Sequence, residues 1–357
     1  MAEHLTNIIV LFGMLLLSGS MLSDHSSHKF NGNKEPVIQY TTDKDVDVTV
    51  YLVRNSNNIP LYYTTRLQSP VCMENLCNPI DIEIQWDLLG DFKEYVENPD
   101  DPVTKFDHQP FNEDDHQKLK SILANTQSLL QDYRMEDLVD TSVQIYSEEL
   151  DATTGATNKT FEKDIVPGAI YTCYTLWTFV NGDLREQIFQ HTMSILDDSV
   201  LLSMISNGRK NYLDFILQND SLQFSEQVNR AVSGLIWGED PLVSTKAILA
   251  VNSSFWHSDS IHSMVSQNFL KMSIPVQNAL IHELSKAELN QVTLVFLVDL
   301  LPEVGERHRP RIYTILLSNA HLIDTSIKDN LLEIFQSSKF SLSAKEYELM
   351  NKLDIHF

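Results

Sequence analysis

One stretch of this 357-residue chain reads as a chemical signature: Asp151-Ala152-Thr153-Thr154-Gly155-Ala156-Thr157. A threonine hydroxyl is a weak nucleophile until a base or a metal activates it. A threonine that is to be esterified must therefore stand where a second enzyme can reach it. Gly155 permits backbone angles closed to other residues and lets a bulky phosphate approach, and Ala156 adds little bulk. Asp151 and Thr154 can hydrogen-bond to neighbouring backbone groups and fix the turn. These features suit an acceptor threonine on an exposed loop; the plainer reading is a Thr/Gly surface turn after an acidic segment. No set of catalytic residues stands out elsewhere. His257, His262, His282 and His321 are scattered without ligand spacing and read as satisfied or surface histidines, so no metal site is expected.

The form Asp-x-x-(Ser/Thr)-Gly-Ala-Thr resembles the attachment motif of the FMN-binding domain family. That family includes the extracytoplasmic flavin subunits of sodium-pumping NADH:quinone reductase and of Rnf-type complexes. The resemblance implies FMN carried through a phosphoester on Thr157, with Asp151, Thr154, Gly155, Ala156 and Thr157 forming the cofactor attachment site. It also implies a flavin transferase for maturation, a protein redox partner and a membrane-bound electron donor. It spans residues 77–182, under half of the chain. Of the Thr-Ser pair that often follows the acceptor in the family, only Thr160 matches in kind. Residues 102–111, with Lys105, Asp107 and His108, stand where the family carries a Glu-Thr-Pro-Gly-like stretch. Trp177 and Tyr171 have rings able to stack on an isoalloxazine, although aromatics at helical spacing are more often core.

The net charge of −23, from 26 basic and 49 acidic residues, argues against a nucleic-acid partner, which would need a basic stripe. Residues 8–17 are almost entirely apolar, and Ser18-Gly19-Ser20 supplies small residues for cleavage, so residues 1–20 read as an export signal. An uncleaved anchor is the alternative. Residues 21–44 read as a polar, disordered leader. Export would place the protein in the periplasm or at the cell surface. There Cys72 and Cys77 can pair as a disulfide or remain free thiols, while Cys173 lies among apolar residues and reads as core.

These assignments need a scaffold. Val46, Val48, Val50 and Leu52 alternate with polar residues, as do Ile80, Ile82, Ile84 and Trp86, which predicts half-buried strands. Residues 61–67 supply a strand between them, and Gly90-Asp91 turns the chain into another through Phe92 and Tyr95. Strands in succession favour an antiparallel sheet. Asn112 can cap a helix whose first turn holds Glu113, Asp114 and Asp115 and whose buried stripe is Leu119, Ile122 and Leu123. A strand near residues 143–146, the motif loop, and a helix running from Thr160 to Asn181 and stopped by Gly182 complete residues 45–182.

From Asp183 the apolar spacing becomes three to four residues almost throughout, and the segment around Val292, Val295 and Phe296 is apolar on most sides, predicting a buried helix. Residues 183–357 read as successive helix pairs resembling HEAT-type repeats, with a compact bundle as the alternative. The expected fold class is thus α+β, an antiparallel sheet with packed helices, followed by an all-α solenoid-like domain. The expected function is exported electron transfer by a covalent flavoprotein whose helical domain docks a partner. The competing expectation is a flavin-free interaction protein that works through its helical surface.

Overall fold

The computed structural model describes residues 33–71, 78–105, 108–135, 163–252, 255–256, 259–337 and 342–356. Five strands come first: β1 (Asn33–Thr41), β2 (Asp47–Arg54), β3 (Pro60–Ser69), β4 (Ile80–Trp86) and β5 (Phe92–Glu97). They form one antiparallel meander in sequence order. The period-two pattern sends Val50, Leu52, Tyr63, Ile82, Ile84 and Trp86 to one face, where all are buried. The register stacks Leu52 opposite Tyr63 and Tyr63 opposite Trp86, a continuous row across three strands.

β1 corrects the expectation of a disordered leader through residue 44. Its residues pair along β2 from Asn33 to Thr41, with an irregularity at Pro36. It is an edge strand of which only Val37, Ile38 and Tyr40 are half-buried, so its apolar alternation is too faint to read in sequence.

Helix α1 (Glu113–Ala124) starts in a capping box between Asn112 and Asp115 and buries Leu119, Ile122 and Leu123, as its sequence predicts. Helix α2 (Ile170–Asn181) packs against α1. It begins at Ile170 rather than near Thr160. Gly168 takes φ +75° in a turn closed by the Ala169 N–H on the Val166 carbonyl, 3.0 Å, and that turn breaks any earlier helix. The Trp86 Nε1–H donates to the Val180 carbonyl at 3.0 Å and fixes α2 on the sheet.

Eleven further helices follow among the described residues: α3 (Asp183–Ser194), α4 (Asp198–Asn207), α5 (Lys210–Gln218), α6 (Glu226–Gly234), α7 (Pro241–Ala250), α8 (Asp259–Asn268), α9 (Ile274–Leu284), α10 (Gln291–Leu300), α11 (Arg309–Ser318), α12 (Thr325–Gln336) and α13 (Ala344–Lys352). From α4 onward, each packs mainly on the helix two positions along. One row runs α5, α7, α9, α11, α13; the other links α4 to α6 and α8 to α10 to α12. The chain is therefore an α+β assembly with a helical C-terminal region. Helix α10 corrects one expectation. It buries Leu294, Leu297 and Val298, but Val292 and Val295 are 63% and 40% exposed. The helix is apolar all round, and its neighbours α8 and α12 cover one side.

Helices α2 and α3 follow one another without a linker. Gly182 is at once the last cap of α2 and the first cap of α3, and a single apolar core runs through both halves. The β4–β5 turn is bolted to the helices by side chains. Asn211 Nδ2 donates to Asp87 Oδ2 at 2.6 Å and to Asp91 Oδ2 at 2.9 Å. Arg185 pairs with Asp91 at 2.7 Å, and the Leu88 N–H donates to the Tyr212 hydroxyl at 3.1 Å. Burial pushes the Asp87 carboxyl above its ordinary range; the hydrogen bond from Asn211 works against that rise. On the neighbouring strand the Tyr63 hydroxyl sits 2.8 Å from both His191 Nδ1 and Thr192 Oγ1 of α3.

Candidate functional site

The predicted attachment residues Asp151, Thr154, Gly155, Ala156 and Thr157 lie outside the described residues, as do Cys72 and Cys77, the residue 143–146 strand and the export signal. The flanks of the motif segment are described, and they meet. Ser128 Oγ donates to Asp164 Oδ1 at 2.7 Å, joining positions before and after the segment. The Tyr174 hydroxyl donates to the Tyr133 carbonyl at 3.1 Å. Ser128 also accepts the Leu130 N–H, so one buried serine caps the outgoing turn and holds the returning strand of chain. The described positions before and after the motif segment thus meet at one corner beside the start of α2.

The loop of residues 102–111 borders the same corner. The Lys105 side chain lies over Gly168, where an added Cβ would sit 3.5 Å from Lys105 Cβ. Its ammonium reaches Asp115 at 2.9 Å, tying the loop to the start of α1. Burial pushes the Asp115 carboxyl up, but the Asn112 N–H and the Lys105 ammonium outweigh it and hold the group below the ordinary range. His108 takes φ +62° at the tip of that loop, and its N–H donates to the Lys105 carbonyl.

Beside this loop stands a constellation that sequence reading missed. The Tyr95 hydroxyl lies 2.6 Å from His116 Nδ1, and His116 Nε2 faces Glu97 Oε1 at 3.5 Å. Burial, followed by the Glu97 and Glu94 charges, raises the Tyr95 phenol far above its usual range, so it serves as a neutral hydroxyl. A carboxylate, an imidazole and a phenol in line can pass a proton. The signal was weak: Tyr95 and Glu97 share a face of β5, but His116 arrives from α1 with no local motif.

Of the two aromatics expected to reach a flavin ring, Trp177 is buried and donates its Nε1–H to the Asn125 carbonyl at 2.8 Å, so it is core. Tyr171 is half-buried at the start of α2. His262 is a satisfied core histidine, with the Trp256 carbonyl 2.7 Å from Nε2 and Thr293 Oγ1 against Nδ1. His282 and His321 are exposed. Cys173 is fully buried, its thiol pushed up to about 12 by loss of solvent. Among the described residues no cluster of His, Cys, Asp and Glu could hold a metal ion, and no helix is long and apolar enough to cross a membrane. No protein-family model, curated protein or solved structure matches the chain.

Proposed function

We propose that this chain is an exported electron carrier that holds FMN as a phosphoester on Thr157, with its helical rows docking a protein redox partner. The observation that carries the proposal is the residue pattern Asp151 to Thr157. Support comes from the corner that frames it, where Ser128 with Asp164 and Tyr133 with Tyr174 fasten both ends of the segment. Attachment by a transferase requires a reachable acceptor hydroxyl, and the flanks of the segment are held by these two bonds.

The side chains described at this corner suit the group in kind. Half-buried Tyr171 and Tyr174 offer aromatic surface, and the Lys105 stem over Gly168 offers a cation beside the returning chain. When bound, FMN would supply one- and two-electron redox chemistry that no side chain here can. The protein would position it and exclude water with the tyrosines. Covalent attachment has a physical motive outside the cytoplasm, where a cofactor that dissociates is lost by dilution.

The test is co-expression of the full chain with a flavin transferase, followed by a denaturing gel read by flavin fluorescence. A phosphoester survives unfolding, so the unmutated protein should fluoresce. Thr157→Ala should not, and Thr153→Ala should. Undiminished fluorescence in Thr157→Ala would overturn the acceptor. A dark unmutated protein would favour the flavin-free interaction reading, for which the exposed Leu242, Leu249, Val292 and Val295 are the specific support.

A further inference from the structure

Acids outnumber bases 49 to 26 in this chain, so an arginine readily finds a carboxylate. Arg54 pairs with Glu35, Arg66 with Asp81, Arg185 with Asp91, Arg209 with Asp87 and Arg230 with Glu226. Arg307 and Arg311 depart from this pattern. Both are exposed, and neither has a carboxylate partner among the described residues, although Glu303 and Glu306 belong to the same stretch. The Arg311 guanidinium donates from Nη1 to a neutral oxygen, Asn278 Oδ1 of α9, at 3.1 Å.

The two arginines belong to one surface. The Gly305 carbonyl accepts the His308 N–H and the His308 carbonyl accepts the Ile312 N–H, both at 3.1 Å, so the chain turns helically from Gly305 into α11. Arg307, Arg311, Thr314 and Ser318 then recur every three or four residues and form one stripe, exposed along its length. Thr314 and Ser318 also line a groove of about 540 Å³ between α11 and α13. Lys345 and Lys352 stand on its α13 wall, and buried Leu349 with half-buried Leu317 supplies apolar lining. Lys352 pairs with Glu348 at 2.6 Å, whereas Lys345 has no ion pair among the described residues. Glu346 of α13 is buried and accepts from the Tyr313 hydroxyl. The stripe and the groove walls thus carry four cations, Arg307, Arg311, Lys345 and Lys352, against one acid, Glu348.

We propose that the groove between α11 and α13 docks an acidic segment of a partner protein, its carboxylates meeting Arg307, Arg311 and Lys345. The argument is charge complementarity. A guanidinium offers a planar fork that matches a carboxylate, and two of them one helical turn apart suit acids at a similar spacing. The apolar lining takes the side chains between those acids. A nucleic acid fits less well, because four cations make too short a track for a run of phosphates and the net charge of −23 repels a long polyanion. A short acidic segment escapes most of that repulsion, since fields are screened over about 8 Å at physiological ionic strength. The inference rests on the reading that the helical rows dock a partner, and it stands whether or not Thr157 carries a flavin.

The experiment is fluorescence anisotropy of the full chain with a fluorescein-labelled alanine-based peptide that carries a glutamate at every fourth residue, and with the same peptide carrying glutamine instead. The glutamate peptide should bind saturably, and the glutamine peptide about tenfold more weakly or worse. The double variant Arg307→Gln, Arg311→Gln should weaken the glutamate peptide about tenfold, with an unchanged melting curve because both side chains are exposed. Lys345→Gln should weaken it too. Arg230→Gln, which alters an exposed arginine of α6, should bind like the unmutated chain, and so should Thr157→Ala. Equal affinity for the glutamine peptide, undiminished binding in the double variant, an equal loss in Arg230→Gln, tighter binding of duplex DNA or of anionic lipid vesicles, or no saturable binding up to about 1 mM would each overturn the proposal.

Discussion

Replacing Gly90 by alanine tests whether the β4–β5 turn is truly fastened to the helices. Gly90 takes φ +81°, and a Cβ placed on it would lie 2.7 Å from the Arg185 carbonyl oxygen, a backbone atom of α3. The left-handed conformation alone costs an L-residue about 1–2 kcal/mol. The contact adds an overpacking cost of about 1–3 kcal/mol, because α3 is held through Arg185 on Asp91 and Thr192 on Tyr63 and cannot retreat freely. Gly90→Ala should therefore lose about 3 kcal/mol. Gly208 is the internal control. It takes φ +69°, but a Cβ there would meet nothing within 4 Å. Gly208→Ala should lose only the backbone term, about 1 kcal/mol. Urea unfolding of the full chain, followed by circular dichroism and by tryptophan fluorescence, reads both. Equal losses at the two glycines would show that the sheet and α3 are not in rigid contact, and the junction described above would be wrong.

Tyr63→Phe removes the hydroxyl shared by His191 and Thr192; with Thr192 fully buried, the loss should be about 1–2 kcal/mol in the same urea assay, and a change below the scatter would show that these bonds do not bear on stability. Asp81, largely buried, accepts from Arg66, Gln68 and Asn98, and the Arg66 hydrogen bond leads in holding its carboxyl far below the ordinary range. A folded-state pKa depressed in this way gives stability that is present above the unfolded value, about 4, and is lost as pH falls. The unmutated chain should lose more stability between neutral pH and about pH 3 than Asp81→Asn does; parallel losses would remove Asp81 as the acid-sensitive group.

The sheet was legible because its alternation is strong: Val48, Val50 and Leu52 and the Ile80–Trp86 run could face only one way. Helix α1 was legible down to its buried stripe, because the cap, the acidic first turn and the apolar spacing agree. β1 was hidden because an edge strand with one half-buried face carries little apolar signal. The exposure of Val292 and Val295 was hidden because composition reports how apolar a helix is, not how many neighbours it has. The Tyr95–His116–Glu97 line escaped for a related reason: its members come from two elements, and only their packing brings them together.

The junction at Asp87 and Asp91 also sets the order in which the molecule can be assembled. Within the sheet each strand pairs with the next in sequence, and within the helical rows each helix packs two positions along. Such neighbours can form as the chain lengthens, with little loop entropy to overcome. The ties between the halves are different: Lys44 to Thr175, Tyr63 to Thr192 and Asp87 to Asn211 span 131, 129 and 124 positions. A chain made or threaded from its N-terminus would complete its meander long before α5 arrives to cover Asp87. Until then the inner face of the sheet, with Trp86 and Tyr63 uncovered, would be the part of the nascent protein most exposed to wrong partners.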